Sequence, residues 1–303
     1  MRLVFAGTPD VAVPSLEALA GSSHEVAAVI TRPDAPAGRG RRLTASPVAR
    51  RAAELGIEVL KPDHPRHPGF QDRLRRLAPD VCPVVAYGAM LPASALEIPR
   101  HGWVNLHFSL LPRWRGAAPV QRAIMAGDDE IGTACFQIVR KLDAGDIFLT
   151  EGFPMPDATA GELLATLAES GARQLVAAVD LIAAGVRPTP QPDEGVTVAA
   201  KITVADARLG WASPARELRN QIMGCSPDPG AWCELDGGRF KIYRARVAGE
   251  LGLARGELSA TKRQVFIGTG DGALELLEVQ APGKRRMPAI DWARSGIDGK
   301  VLS

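Results

Sequence analysis

The first half of the chain alternates short apolar runs with amphipathic segments. The apolar runs are nearly continuous, which is typical of strands covered on both faces of a mostly parallel sheet. These predicted strands span residues 2–7, 25–31, 80–88, 103–109 and 133–139. The predicted helices between them lie at about residues 10–20, 46–55, 70–77 and 117–127, and Ser46 followed by Pro47 predicts the start of the second one. This order predicts a Rossmann-like α/β fold with its functional site at the carboxyl ends of the strands.

The second half of the chain has a different pattern. A long stretch rich in alanine and leucine predicts a helix over residues 160–184, and three prolines in residues 186–195 predict an exposed linker. Beyond residue 204, one helix-like stretch at 213–223 precedes several short strand candidates that are separated by glycine-rich turns. That pattern predicts a small OB-like β-barrel. We therefore expect an α/β domain at 1–186, a linker at 187–203 and a β-rich domain at 204–303.

Composition narrows the class of protein. Hydrophobic residues make up 46% of the 303 residues and charged residues 23%, as in ordinary globular proteins. The sequence has no apolar run of the roughly 18 residues that a membrane span requires, and no signal-peptide core. We therefore expect a cytoplasmic protein that does not contact a membrane. The four cysteines form no CxxC pair and lie near no histidine cluster, which predicts free thiols and no metal site.

Charge and glycine content constrain the ligands. The net charge is only +2, but residues 32–51 contain six arginines against the single acid Asp34. Such a segment either contacts an anionic partner or forms a solvated loop. The turn after the first strand contains Gly7 alone, where a dinucleotide-binding fingerprint requires three glycines. We exclude a bound dinucleotide at that turn.

Polar residues cluster where the fourth predicted strand ends. Asn105, His107 and Ser109 alternate along the strand and therefore share one face. The next predicted strand ends near Asp143, whose carboxylate could select the tautomer of His107. An amide that donates to an oxyanion and a histidine that moves a proton fit direct acyl transfer. From these residues alone, a core histidine beside a turn-capping asparagine is the alternative interpretation.

These residues belong to a set of ordered motifs that resembles the folate-dependent formyltransferases. Along nearly its whole length the chain is similar to those members of the family that formylate methionyl-tRNA. One departure is Phe108, which stands where glycine is common between the histidine and the serine. The motifs are Phe5–Pro9, Pro36–Gly40, Val85–Gly88, Asn105-x-His107, Ser109–Pro119, Leu142-Asp143-x-Gly145-Asp146, and Asp206–Leu209 before Trp211.

The resemblance implies a reaction and a set of site residues. A formyl group would move from 10-formyltetrahydrofolate to the α-amino group of initiator methionyl-tRNA, giving the N-formylmethionyl-tRNA of translation initiation without a metal or a covalent enzyme intermediate. Asn105, His107 and Asp143 would be catalytic. The folate-binding residues would be Val85, Ala86, Tyr87, Gly88, Met90, Leu91, Ser109, Leu110, Leu111 and Pro112.

The resemblance also assigns the acceptor side. Arg39, Arg41 and Arg42 would contact the tRNA from a loop that we expect to lack regular structure, because it is rich in proline and glycine. Residues 1–186 would form the catalytic domain and residues 204–303 the OB-like tRNA-binding domain of a monomer.

Three alternatives share these motifs. An enzyme of the same fold could formylate a sugar-nucleotide amine, or could use water as the acceptor, and a catalytically inactive relative could bind nucleic acid only. The arginine-rich loop and the basic second half, with 17 Lys and Arg against 14 Asp and Glu in residues 187–303, favour tRNA. The presence of Asn105, His107 and Asp143 argues against an inactive relative.

Overall fold

The computed structural model describes residues 1–37, 42–294, 296, 297 and 299–303, which form two units. The first unit contains the predicted α/β domain, and the second contains the β-rich C-terminal part. Two internal segments of the first half, Gly116–Ile131 and Pro154–Leu163, group with the second unit. The first unit also includes Leu164–Val198, and with it most of the segment that the sequence predicts as a linker.

Among the described residues up to Ala183, the chain forms ten strands and six α-helices. Strands β1 to β10 are Arg2–Gly7, Glu25–Ile30, Ala35–Ala37, Arg42–Thr44, Glu58–Leu60, Cys82–Val85, Trp103–His107, Arg115–Gly116, Glu130–Gln137 and Ile147–Pro154. Helices α1 to α6 are Val13–Ala20, Pro47–Glu54, Pro68–Leu77, Ala93–Leu96, Pro119–Ala126 and Ala160–Ala183. All the predicted strands and helices of this half are confirmed. Ser46 accepts a hydrogen bond from the amide of Ala49 at 3.0 Å, which confirms the predicted start of α2.

Seven of these strands form the sheet of the first unit, in the order β10-β9-β7-β6-β1-β2-β5. The pairs from β7 through β6, β1 and β2 to β5 are parallel, and β7 pairs antiparallel with β9. The predicted, mostly parallel α/β sheet is confirmed. Its central strands are buried on both faces, since Leu3, Val4, Val29 and Val104 are fully inaccessible to solvent.

The arginine-rich segment differs from the expectation. Ala35–Ala37 and Arg42–Thr44 pair as a two-stranded antiparallel ribbon, so the prediction that this segment lacks regular structure is wrong. Pro36 fits there because each strand of an isolated ribbon has one unpaired edge, where no amide hydrogen is needed. Arg42 is exposed on the ribbon. Arg39 and Arg41 lie outside the residues that the structure describes.

The second unit is built around an antiparallel sheet. Strands β11 to β17 are Val198–Ala199, Ala231–Leu235, Gly238–Gly249, Leu258–Ala260, Val265–Gly268, Ala273–Gln280 and Met287–Pro288, and helices α7 and α8 are Ala215–Gly224 and Ala289–Ala293. The main path is β12-β13-β16-β15-β14, with β17 beside β16. Alternating residues of β12 and β13, including Cys233, Phe240 and Ile242, enter one apolar core with Leu218 and Trp292 from the helices. The predicted C-terminal β-rich domain is confirmed as an antiparallel sheet domain.

The cysteines agree with the prediction from the sequence. All four cysteines are buried and free, as predicted. Burial raises the pKa of Cys225 to about 11 and that of Cys233 to about 12. Within the described residues, no helix combines the length and apolarity needed to cross a membrane.

Candidate active site

Parallel pairing brings the predicted site segments to one edge of the sheet. Gly7 on β1 pairs with Val85 on β6, and Val84 on β6 pairs with Asn105 on β7. Because the three strands are parallel neighbours, the chain segments that follow them all emerge at their shared carboxyl edge. The segment after β6 and the loop after β7 are the two regions from which the folate-binding residues are expected.

His107 is the buried centre of this edge. Its side chain is 7% exposed, and its Nε2 lies 2.8 Å from the carbonyl oxygen of Trp114. A carbonyl oxygen only accepts, so Nε2 carries the proton and Nδ1 presents its lone pair. Burial lowers the pKa of His107, while the charge of Asp143 and the hydrogen bond to Trp114 raise it in part. The imidazole is therefore a neutral base with one defined tautomer.

Asp143 faces the free nitrogen of this imidazole. Its Oδ2 lies 3.9 Å from Nδ1 of His107, too far for a hydrogen bond. A nitrogen atom with two hydrogens fits beside this pair, because it can lie about 2.9 Å from both atoms and donate to each. The side chain of Asp143 is 17% exposed, so an incoming group can reach it from solvent. The pair can thus hold and deprotonate an amine.

The turn that carries Asp143 has a restricted backbone. Asp143 lies in the left-handed region with a φ of 45°, a strained conformation for a residue with a side chain. Two residues later, a Cβ on Gly145 would clash with the main-chain oxygen of Gln137 at the end of β9. Glycine at position 145 therefore lets the turn approach the strand closely enough to place Asp143 beside His107.

The loop after β7 positions the carbonyl that binds His107. The hydroxyl of Ser109 is fully buried and donates to the carbonyl of Arg113 at 2.7 Å. Trp114 has a φ of 62°, and its amide donates to Oγ1 of Thr197 at 2.8 Å. This left-handed turn directs the Trp114 carbonyl to Nε2 of His107. Sequence reasoning missed this partner, because a main-chain carbonyl leaves no signature in the sequence.

Asn105 differs from His107 and Ser109 because its side-chain amide is available to bind a ligand. It is half-buried on β7 and makes no side-chain hydrogen bond to any residue that the structure describes. Its register partner on β9 is Phe136, which packs edge-on to the ring of His107 at 6.2 Å between ring centroids. Phe136, Ala134 and Leu111 form a small apolar cluster. An amide donor beside an apolar wall can stabilise a developing negative charge.

The segment Val85–Leu91 offers exposed main chain for a flat polar ligand. Ala86 and Gly88 both have a positive φ and are exposed, whereas Tyr87 between them is buried. The buried hydroxyl of Tyr87 has no hydrogen-bond partner among the described residues, and burial raises its pKa to about 12. Met90 is 81% exposed, so unlike its neighbours it makes little contact with the core.

The remaining residues expected at the site differ in burial. In the loop after β7, Leu111 is buried, while Leu110 and Pro112 are half-buried. Phe108, which departs from the family pattern, is 7% exposed and thus packs into the interior. Within the described part of the chain, no group of three or more His, Cys, Asp or Glu side chains is arranged to hold a metal ion.

Two family models match the chain. The one described as "Formyl transferase" matches residues 1–179, and "Formyl transferase, C-terminal domain" matches residues 201–296. The chain belongs to the formyl transferase family. Within this family, it is 58% identical over 298 residues to a methionyl-tRNA formyltransferase of Streptomyces coelicolor, covering 97% of this chain and 96% of the relative. Other relatives with 53–58% identity carry the same name.

Several solved structures have the same fold as this chain, although their sequence identity to it is low. HypX from Aquifex aeolicus, in complex with tetrahydrofolic acid, is 19% identical with a TM-score of 0.71, covering 99% of this chain and 48% of HypX. WlaRD, a sugar 3N-formyl transferase, is 16% identical with a TM-score of 0.69, covering 94% of this chain and 99% of that chain. The fold is thus shared by proteins whose names give different substrates, so it does not by itself identify the acceptor.

Proposed function

We propose that this chain transfers the formyl group of 10-formyltetrahydrofolate to the α-amino group of initiator methionyl-tRNA. One observation supports the reaction type: His107 is neutral, and its unprotonated Nδ1 faces Asp143. The same strand carries Asn105, whose side-chain amide makes no hydrogen bond to the described residues. The acceptor is supported by relatives at 53–58% identity over nearly the whole chain, which are named methionyl-tRNA formyltransferase.

In the proposed mechanism, the neutral acceptor amine first donates two hydrogen bonds, one to Nδ1 of His107 and one to the carboxylate of Asp143. As the amine nitrogen bonds to the formyl carbon, the carbonyl electron pair moves to oxygen, and the amide of Asn105 donates to that oxyanion. His107 accepts the proton that the nitrogen loses and returns it to the departing folate nitrogen as the old carbon–nitrogen bond breaks. Asp143 stabilises the transient imidazolium.

The proposed folate site consists of the two segments at the carboxyl edge. The exposed main chain at Ala86 and Gly88 can hydrogen-bond a pterin ring, and Leu111 contributes an apolar wall. The bound folate supplies an already activated formyl group. The proposed contact residues are Val85, Ala86, Tyr87, Gly88, Met90, Leu91, Ser109, Leu110, Leu111 and Pro112.

We assign Arg39, Arg41 and Arg42 to the tRNA. The support is the local charge of residues 32–51, the exposure of Arg42, and the position of the segment after β2, on the edge that carries His107. Arg39→Ala is expected to lower kcat/KM for methionyl-tRNA. The loss should correspond to about 1–3 kcal/mol of transition-state stabilisation, the contribution of one good arginine contact, and KM for the folate should not change. Equal weakening of folate binding would instead place the loop at the donor site.

The domain assignment is part of the same proposal. Residues 1–186 contain the catalytic and folate-binding residues, residues 187–203 join the two parts of the chain, and residues 204–303 bind the tRNA, in a cytoplasmic monomer. The two family matches, at residues 1–179 and 201–296, support two functional parts, while the first structural unit extends to Val198, inside the proposed connecting segment. Aminoacylated tRNA is present in the cytoplasm, which supports the proposed location. Sedimentation with and without tRNA tests the monomer.

One assay tests the proposed function. The purified chain is incubated with 10-formyltetrahydrofolate and either methionyl initiator tRNA or an amino-sugar nucleotide, and the products are analysed for formyl-methionine and formylated sugar. We expect formyl-methionine only. Formylation of the sugar alone, or hydrolysis of the donor with no formylated acceptor, would contradict the assignment. His107→Ala is the control for background formylation.

A further inference from the structure

The segment between the two family matches contributes directly to the first unit. The sequence predicts residues 186–195 as an exposed linker, and Asp193, Glu194 and Gly195 are indeed exposed. Gln191, however, is half-buried and makes side-chain hydrogen bonds to two separate parts of the candidate active site. This residue lies outside every motif that the sequence analysis identified.

Both polar atoms of the Gln191 side-chain amide make two hydrogen bonds each, and these bonds fix its orientation. Its Oε1 accepts from Nε and Nη2 of Arg115 at 3.1 and 2.7 Å. Its Nε2 donates to the carbonyls of Asp143 and Gly145 at 2.9 and 2.8 Å. A guanidinium only donates and a carbonyl only accepts, so the reversed amide would lose all four bonds.

The four bonds connect the two segments that contact the two nitrogens of His107. Arg115 follows Trp114, whose carbonyl accepts from Nε2 of His107. Asp143 faces Nδ1 and has a strained backbone that its surroundings must maintain. The Gln191 amide binds the carbonyl of Asp143 itself, together with that of Gly145 in the same turn.

We propose that Gln191 is a positioning residue, which holds the strained Asp143 turn so that the carboxylate faces Nδ1 of His107. The proposal rests on the proposed function for its kinetic consequence but not for its geometry. It gives the segment that joins the two parts of the chain a second role, as a support of the Asp143 turn. A catalytic fragment that ends before Gln191 would therefore lack one of its supports.

Gln191→Glu separates the two halves of this bridge. A carboxylate still accepts from Arg115, and more strongly, but it cannot donate to the two carbonyls and repels them. Gln191→Met is nearly isosteric and removes both halves. The matched control is Gln221→Glu in the second unit, because the Gln221 amide also donates to two carbonyls two residues apart, those of Asp206 and Arg208.

For Gln191→Glu and Gln191→Met, we expect kcat to fall about tenfold, with both KM values within twofold of wild type. Gln221→Glu is expected to lower the melting temperature and leave kcat unchanged. In an Asp143→Asn background, Gln191→Glu is expected to change kcat less than twofold, because its effect passes through Asp143. A kcat unchanged by either Gln191 variant, or effects of Gln191 and Asp143 that multiply independently, would overturn the proposal.

A second readout requires no substrate. The charge of Asp143 raises the pKa of His107, so displacement of Asp143 in the neutral variant Gln191→Met is expected to lower that pKa toward its value in Asp143→Asn, as followed by NMR titration of the imidazole. An unchanged His107 pKa in Gln191→Met would overturn the positioning role. If the wild-type chain failed to formylate methionyl-tRNA, the proposed function alone would fail, and this titration would still decide the role of Gln191.

Discussion

Replacing Asn105 with alanine tests the oxyanion donor with little effect on folding. The Asn105 side chain is half-buried and has no hydrogen-bond partner among the described residues, so its truncation breaks no native bond. We therefore expect the free energy of unfolding to change by less than about 1 kcal/mol. The register on β7, between β6 and β9, keeps the backbone in place.

The catalytic effect of this substitution should be much larger. Loss of one oxyanion donor costs about 10²–10³ in kcat, which corresponds to about 2.7–4 kcal/mol of transition-state stabilisation. The negative charge exists only in the transition state, so KM for 10-formyltetrahydrofolate should stay within about twofold of wild type. A stability change below 1 kcal/mol and a barrier change of about 3 kcal/mol are easily distinguished.

The assay measures steady-state formylation of methionyl initiator tRNA with both substrates varied, alongside a urea unfolding curve. Asn220→Ala is the matched control, since Asn105 and Asn220 are the two asparagines of the chain. Asn220 is 8% exposed and accepts from Arg219, so its loss should reduce stability and spare kcat. If Asn105→Ala retained more than about a tenth of the wild-type kcat, the oxyanion assignment would be refuted.

Two further predictions concern the turn opposite His107. Gly145→Ala is expected to destabilise the fold by about 3 kcal/mol, measured by urea unfolding, because its Cβ would clash with the main-chain oxygen of Gln137; unaltered stability would contradict the close approach. Asp143→Asn is expected to lower the pKa of His107 further, measured by NMR, since burial already lowers it and the carboxylate opposes that effect. Below pH 6.5 the unfolded chain binds the histidine proton more readily than the folded chain does. His107 therefore makes the free energy of unfolding decrease as the pH falls, and this decrease is expected to be steeper in Asp143→Asn. A raised pKa of His107 in that variant would refute this reasoning.

Local sequence patterns predicted the regular elements where burial dominates. The runs at Arg2–Gly7 and Trp103–His107 are apolar because both faces of a central parallel strand are covered, so composition alone reveals them. The strand Ile147–Pro154 lies at the sheet edge, where half-exposed and exposed residues prevail, and its weak pattern escaped prediction. The Ala35–Ala37 ribbon strand was missed because a proline within three residues normally indicates a break.

The candidate site divides in the same way. Asn105 and His107 could be singled out because polar residues at the end of a buried strand are rare, and the motif that contains Asp143 marked the second segment. The Trp114 carbonyl and the Gln191 amide could not, since any residue has a carbonyl and a glutamine in a proline-rich segment is usually solvated. Long-range contacts such as Gln191 to Asp143, 48 residues apart, depend on the folded chain path.

By itself, the sequence determined most strands and helices of the α/β sheet and the residues that reach its carboxyl edge, because hydrophobic periodicity is a local property of a chain. Only the tertiary structure decided the chemistry of His107. Its proton lies on Nε2 because a left-handed turn at Trp114 directs a carbonyl there, and its Nδ1 faces Asp143 because Gly145 and Gln191 hold a strained turn in place. Tautomer and charge depend on which atoms meet in space, and residues far apart along the chain supply those atoms.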